Sequence, residues 1–199
     1  MTRFLLIRHA AIDGLGRRIA GRTAGLGLNA AGRDQAQRLA GRVCQQAIHA
    51  IYTSPQRRAI ETAEALARAV GLPMEIAREL DEIDFGDWTG KSYEELALLP
   101  AWRDFNALHG STRIPNGELL LEAQTRMIGL MQRLSERHAE RTVALVSHGD
   151  VIRVAVAHQL GVPIDFIVRF DIGPASVSAV EFHTGGPRVL WVNNGLETI

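Results

Sequence analysis

Residues 3–10 read RFLLIRHA, an apolar run that breaks at the pair Arg8-His9. An apolar stretch bounded by turn residues predicts a buried strand, Arg3–Ile7, with the pair where the strand ends. A histidine there titrates near neutral pH, attacks as a neutral imidazole or binds a metal. The arginine beside it has a planar fork that matches an oxyanion of phosphate or carboxylate. Alone, such a pair also serves as a strand cap or a solvated end. Recurrence lifts it above that. TVALVSH (142–148) is another apolar run, ending in His148, and AIYTSPQRRA (50–59) is a third, opening onto Arg57 and Arg58.

Working outward, strand and helix patterns alternate. Asn29 is placed to N-cap a helix through Gln46, with Ala36, Leu39, Ala40 and Val43 at helical spacing. Ala50–Thr53 reads as a short strand. Ser54 then N-caps a helix with Pro55 at its first position and Gly71 at its end. Pro73–Ala77 reads as a third strand. Residues 79–117 break the alternation, with a capping box at Ser92 and Glu95, and read as a cap insertion folded over the sheet. A long helix, Glu118–His138, leads to a strand at Thr142–Ser147, and Gly149 opens a helix toward Gly161. AVEF (179–182), the GGP turn (185–187) and VLWV (189–192) read as a closing hairpin. The pattern predicts an α/β fold, a parallel sheet with right-handed crossovers, in a single domain over 1–199.

Composition narrows the function classes. The 199 residues carry 22 basic and 22 acidic side chains, so nothing points to nucleic acid. No stretch approaches twenty apolar residues, which argues against a membrane span. The N-terminus lacks the apolar core and cleavage site of a secretory leader, so the cytoplasm is the expected compartment. One cysteine, Cys44, allows no internal disulfide, and no metal-ligand spacing occurs.

In open α/β sheets, ligands bind beyond the carboxyl ends of the strands, so the three motifs are expected to converge. Two histidines and two arginines there make a cationic cup. Arg8 and Arg58 would hold the non-bridging oxygens of a phosphate monoester and His148 a further one, where charge develops during phosphoryl transfer. His9 would attack, its other ring nitrogen donating to a backbone carbonyl, with neighbouring cations keeping it neutral. Glu82 is the best acid for the leaving alkoxide, and Asp81 and Asp84 are its competitors. His49, His138, His158 and His183 lack charged motif partners and read as packing or surface residues. The glycine-rich stretch 14–27 has no nucleotide-loop spacing, and its Arg17, Arg18 and Arg22 read first as solvated and second as lining a pocket entrance.

LLIRHA (5–10), SPQRRAIETA (54–63), LDEIDFGDWTG (80–90) and VSHGDVIR (146–153) resemble, in order and separation, the four signatures of the histidine phosphatase superfamily, the phosphoglycerate mutase-like group. The stretch 14–32 most resembles the smaller phosphatases, including the alpha-ribazole phosphatase-like branch. The resemblance implies a three-layer α/β sandwich with a mostly parallel sheet flanked by helices and an inserted cap. It implies that His9 becomes phosphorylated and that Arg8, Arg58 and His148 bind phosphate. It also implies that Glu82 donates the proton and that no metal or organic cofactor takes part. A small phosphorylated metabolite is the implied substrate, and family members often form homodimers. A two-step phosphomonoesterase is the first reading. The alternatives are a phosphoglycerate mutase, which would return the phosphoryl group to bound product, and a silent phosphate-binding protein. Departures follow His9, where Ala10, Ala11 and Ile12 replace the usual glycine, acid and hydroxyl residue. A methyl at Ala10 is expected to narrow the approach to phosphate. Leu119 replaces the serine that usually follows PNGE (115–118). Specificity is expected in the insertion around Trp88, Tyr93 and Trp102, aromatics that read first as core.

Overall fold

A computed structural model describes residues 1–195; the last four positions of the expected 1–199 domain lie outside the described residues. β1 (Thr2–Arg8), β2 (Ile48–Thr53), β3 (Met74–Ile76) and β4 (Thr142–Ser147) run parallel in the order β3-β2-β4-β1. β5 (Val177–His183) adds to β1 antiparallel, and β6 (Gly186–Asn194) pairs antiparallel with β5 as the expected hairpin. The sheet is mixed and flanked by helices, as an α/β sandwich requires.

The central strands read as continuous apolar runs because both of their faces are covered. Phe4 and Leu6 of β1 and Val143 and Leu145 of β4 face α5 (Leu120–Arg137) and α6 (Gly149–Leu160). The alternate residues Leu5, Ile7, Ala144 and Val146 face α1 (Ala30–Val43) and α2 (Arg57–Val70). All eight are fully buried, each contributing about 1.5–3 kcal/mol if the side chain is large.

Helix ends follow local chemistry. Asn29 Oδ1 accepts from the Gly32 amide at 2.8 Å, capping α1 as expected. Gly71 and Gly161 close α2 and α6 in the left-handed conformation, at φ 68° and 67°. α1 stops at Val43, short of Gln46, because the chain tightens into a 3-10 turn at Cys44–Gln46. α2 begins at Arg57, with Gln56 as its cap residue, rather than at Pro55 capped by Ser54. The Ser54 hydroxyl is committed elsewhere, as described below. α5 spans Leu120–Arg137, two residues inside its expected start, and Glu122 accepts from the Leu119 amide where Leu119 itself has no acceptor.

Between β3 and α5 the chain makes two 3-10 turns and the short helices α3 (Tyr93–Ala97) and α4 (Pro100–Ala107). The Ser92–Glu95 capping box forms at the start of α3. Leu80, Ile83, Trp88, Leu96 and Phe105 join the apolar cluster beneath α5 and α6. The stretch 14–27 answers across the cup: the Ile19 amide donates to the Lys91 carbonyl, and the Ile19 carbonyl accepts from the Gly90 amide.

Candidate active site

Three parallel strands end side by side, and each delivers part of one buried cluster. β1 ends in Arg8 and is followed by His9, β4 is followed by His148, and Ser54 follows β2. Arg58 comes from the first turn of α2. His9, Ser54, Arg58 and His148 are all at most 2% exposed. The histidine rings meet edge to face, 5.2 Å apart.

Hydrogen bonds assign the ring nitrogens. His9 Nδ1 lies 2.8 Å from the Ala10 carbonyl, which can only accept, so Nδ1 carries the proton and Nε2 keeps its lone pair. Burial, then the cations Arg58 and Arg8, hold His9 well below the ordinary imidazole range. His148 Nδ1 lies 3.2 Å from Arg58 Nη2, a donor, so Nδ1 accepts and Nε2 donates to Ser54 Oγ at 2.7 Å. Ser54 Oγ in turn donates to Asp81 Oδ1 at 3.4 Å. Burial and the same arginine also hold His148 well below its ordinary value.

Ser54 is the site residue that sequence reading missed. Its Ser-Pro dipeptide ahead of a helix carries a cap signal, and nothing local records that β4 lies beside β2.

Both arginines present unused donors. Arg58 gives Nη2 to the Gly21 carbonyl at 2.7 Å, while its Nε and Nη1 are buried with no partner among the described residues. Arg8 donates Nη1 to the Ile172 carbonyl and leaves Nε buried and unpartnered. Its guanidinium lies against Gly149, where a Cβ would come within 3.2 Å of Nε. That glycine also begins α6, whose amino end faces the cup with its partial positive charge. Such a constellation of donors suits a compact dianion.

Glu82 Oε2 sits 3.7 Å from Arg58 Nη2 and 3.5 Å from His148 Nδ1. Burial outweighs the arginine and lifts its pKa from 4.5 to about 7, with Asp150 adding repulsion. This is the feature expected of a proton donor working near neutrality, and it is present before any phosphate binds. Asp81 instead accepts from the Glu82 amide and Gln56 Nε2, both at 2.8 Å. Asp84 accepts from the Gly86 amide at 3.0 Å. Of the three acids, Glu82 is the one placed among the arginines and histidines.

Two expectations are corrected. The Ala10 methyl does not face the cup: Ala10 is fully buried in the cluster beneath α1 and α2, and its amide donates to Thr62 Oγ1 at 3.1 Å. Arg22 is not free in solvent: it donates to the Glu82 carbonyl at 2.8 Å and pairs with Asp84 at 3.3 Å and Glu118 at 3.2 Å. Arg18 does line the cup, a cavity of about 290 Å³ bounded also by Arg8, His9, Glu82 and Arg153. Of the aromatics, Trp88 is core, whereas Tyr93 and Trp102 border cavities.

Residues 4–195 match the model of the histidine phosphatase superfamily (branch 1). The chain belongs to that superfamily. Adenosylcobalamin/alpha-ribazole phosphatase of Escherichia coli is 30% identical over 188 residues, 91% of this chain and 90% of that protein. Phosphoglycerate mutase-like protein 4 of Arabidopsis thaliana is 37% identical over 131 residues, 63% of this chain and only 57% of that protein. Among solved structures, Bacillus stearothermophilus YhfR superposes with a TM-score of 0.92 at 29% identity, covering 99% of this chain and all of that one. The histidine phosphatase is thus an enzyme of phosphate monoester hydrolysis, and the silent binding-protein alternative loses its support.

Proposed function

We propose that the chain is one histidine phosphatase domain, with 79–117 as its cap, that hydrolyses a small phosphorylated metabolite through phosphohistidine at His9. The observation that carries this is the pairing of a neutral His9, with Nε2 free to attack, and a Glu82 whose pKa stands at about 7. In the first step His9 Nε2 bonds to phosphorus as the ester P–O bond breaks, and the Glu82 proton goes to the departing oxygen. Arg8 and Arg58 hold the non-bridging oxygens through the transition state, and His148 joins them by taking up a proton on Nδ1 as the dianion binds beside it. In the second step water attacks phosphorus, the P–N bond breaks and the Glu82 carboxylate takes the water proton, restoring the acid. Ser54 accepts from His148 Nε2, which leaves Nδ1 as the ring nitrogen toward Arg58 and the phosphate site. The lone Cys44 is in keeping with a reducing compartment such as the cytoplasm.

The test is rapid quenching with phosphorus-labelled substrate, followed by product analysis. Acid-labile label on the wild-type protein, absent from His9→Ala, together with free phosphate as product, is the expected result. Label returning to an isomerised product would establish the mutase instead. Equal turnover by wild type and His9→Ala would remove His9 from the mechanism.

A further inference from the structure

Beside the cup lies a second cavity of about 170 Å³, and the two share Tyr93, Asp150 and Arg153. Away from that shared wall it is lined by Trp102, Phe105, Leu120, Ile167 and Val168. The aromatic rings form a continuous series leading from the cup. Tyr93 lies 6.1 Å from Trp102, Trp102 stacks 5.8 Å from Phe105, and Phe105 meets His109 edge to face at 4.9 Å. His109 lines the cavity at 4% exposure, and its Nδ1 is buried with no partner among the described residues.

The formal charge of this wall is negative. Arg153 pairs with Asp150 at 2.9 Å and with Asp171 at 3.0 Å, so one cation faces two carboxylates, and its remaining Nε is buried with no partner among the described residues, open to a neutral acceptor. A substrate carboxylate entering here would meet net negative charge. The rival position for an anionic substrate is Arg18, on the wall of the cup, which has no carboxylate partner among the described residues.

Resting on the phosphatase reading above, we propose that the substrate is the phosphate ester of an uncharged, ring-bearing alcohol. The ring lies along Trp102 and Phe105 in this second cavity, and a hydrogen-bonding group on the ring meets His109. Burial of the ring supplies the binding, and the unpartnered Nδ1 of His109 supplies a preference that plain hydrophobic contact lacks.

The test compares four alkyl esters on the purified full chain: propyl phosphate, 2-phenylethyl phosphate, 2-(hydroxyphenyl)ethyl phosphate and phosphoserine. Their leaving groups are all alkoxides, so differences report the alcohol pocket. The expected order of kcat/KM has phenylethyl above propyl by at least about tenfold, the hydroxyl adding further, and phosphoserine below both aromatic esters. Val168→Trp introduces bulk at a position 60% exposed and is expected to remove most of the phenylethyl advantage. Trp102→Ala is expected to do the same by losing the stacking face. Propyl phosphate turnover by each variant reports that it has folded. If all four esters are hydrolysed but phenylethyl has no advantage, or phosphoserine leads, the inference fails and the phosphatase reading stands. If none is hydrolysed and no label reaches His9, the phosphatase reading itself fails.

Discussion

Glu82 is held where burial opposes its charge, and that cost is the source of its chemistry. The rise from 4.5 to about 7 corresponds to about 3 kcal/mol against the charged form, at ~1.4 kcal/mol per pKa unit. The folded state binds the Glu82 proton more tightly than the unfolded chain does. Its stability contribution is therefore complete below pH 4.5 and is lost as pH rises through about 7. Glu82→Gln should then gain up to about 3 kcal/mol at pH 9 and close to nothing at pH 4, read by urea unfolding at the two pH values. In kcat/KM, which reports phosphoryl transfer to His9 and not the hydrolysis that follows, the same variant should lose about 10²-fold or more on alkyl phosphates while sparing nitrophenyl phosphate, whose leaving group needs no proton. Equal losses on both esters would count against Glu82 as the acid. Ser54 makes a second case. Ser54→Ala leaves His148 Nε2 without its 2.7 Å acceptor, at a cost of about 1–3 kcal/mol. It should also alter the pH profile of kcat, and Ser54→Thr should restore part of both. Arg8, His9, Arg58 and His148 were legible as chemistry-bearing residues at strand or helix ends, and Glu82 as an acid of the insertion that breaks the alternation. Ser54 was not, because its partner lies 94 residues away.

At the scale of elements, caps and periodicity read cleanly wherever the signal is local. Asn29, Gly71, Gly161 and the Ser92–Glu95 box each perform the backbone chemistry their residue types favour. Glu118 shows what such reading leaves out. Its carboxylate accepts from Arg22 at 3.2 Å, from Arg126 at 2.8 and 3.1 Å, and from the Asp84 amide at 3.1 Å. One side chain thus joins the glycine-rich stretch, the acidic loop and α5. Gly86 makes the approach possible, since a Cβ there would lie 2.2 Å from the Pro115 carbonyl. Glu118→Ala strands Arg126, whose side chain is 18% exposed, and should cost about 2–4 kcal/mol in urea unfolding. Because Arg22 and Arg126 both also donate to the Glu82 carbonyl, kcat on alkyl phosphates should fall as well. Unchanged stability and rate would mean that the acidic loop is held by packing alone.

For the whole molecule, alternation of strand and helix announced parallel strands and a shared carboxyl edge, and the convergence of three motifs followed. The strand order did not follow. β4, arriving some ninety residues after β2, lies between β2 and β1, and only that insertion brings His148 against both Ser54 and His9. The consequence is a buried cluster of proton-binding groups whose demands differ. His9 and His148 stay neutral in the fold well below 6.5, whereas in the unfolded chain they take protons as pH falls through 6.5. Each therefore stabilises the fold at higher pH and loses that contribution below 6.5. Glu82 works the other way between 7 and 4.5, binding one proton in the fold that the unfolded chain lacks. Near pH 5.5 the unfolded state holds about two protons at these sites, whereas a fold that keeps both histidines neutral holds about one, on Glu82. Stability should thus fall by about 1.4 kcal/mol per pH unit around that pH, and His109 and His138, also lowered chiefly by burial, act in the same direction. Urea unfolding at pH 6.5, 5.5 and 4.8 reads this directly. In Glu82→Gln the opposing proton is gone, so the slope should steepen to about 2.7 kcal/mol per unit. No steepening in the variant would show that Glu82 holds no extra proton in the fold, whereas a flat profile in both proteins would show that the two histidines are charged in the fold, and with them the case for a neutral attacking His9 would fall.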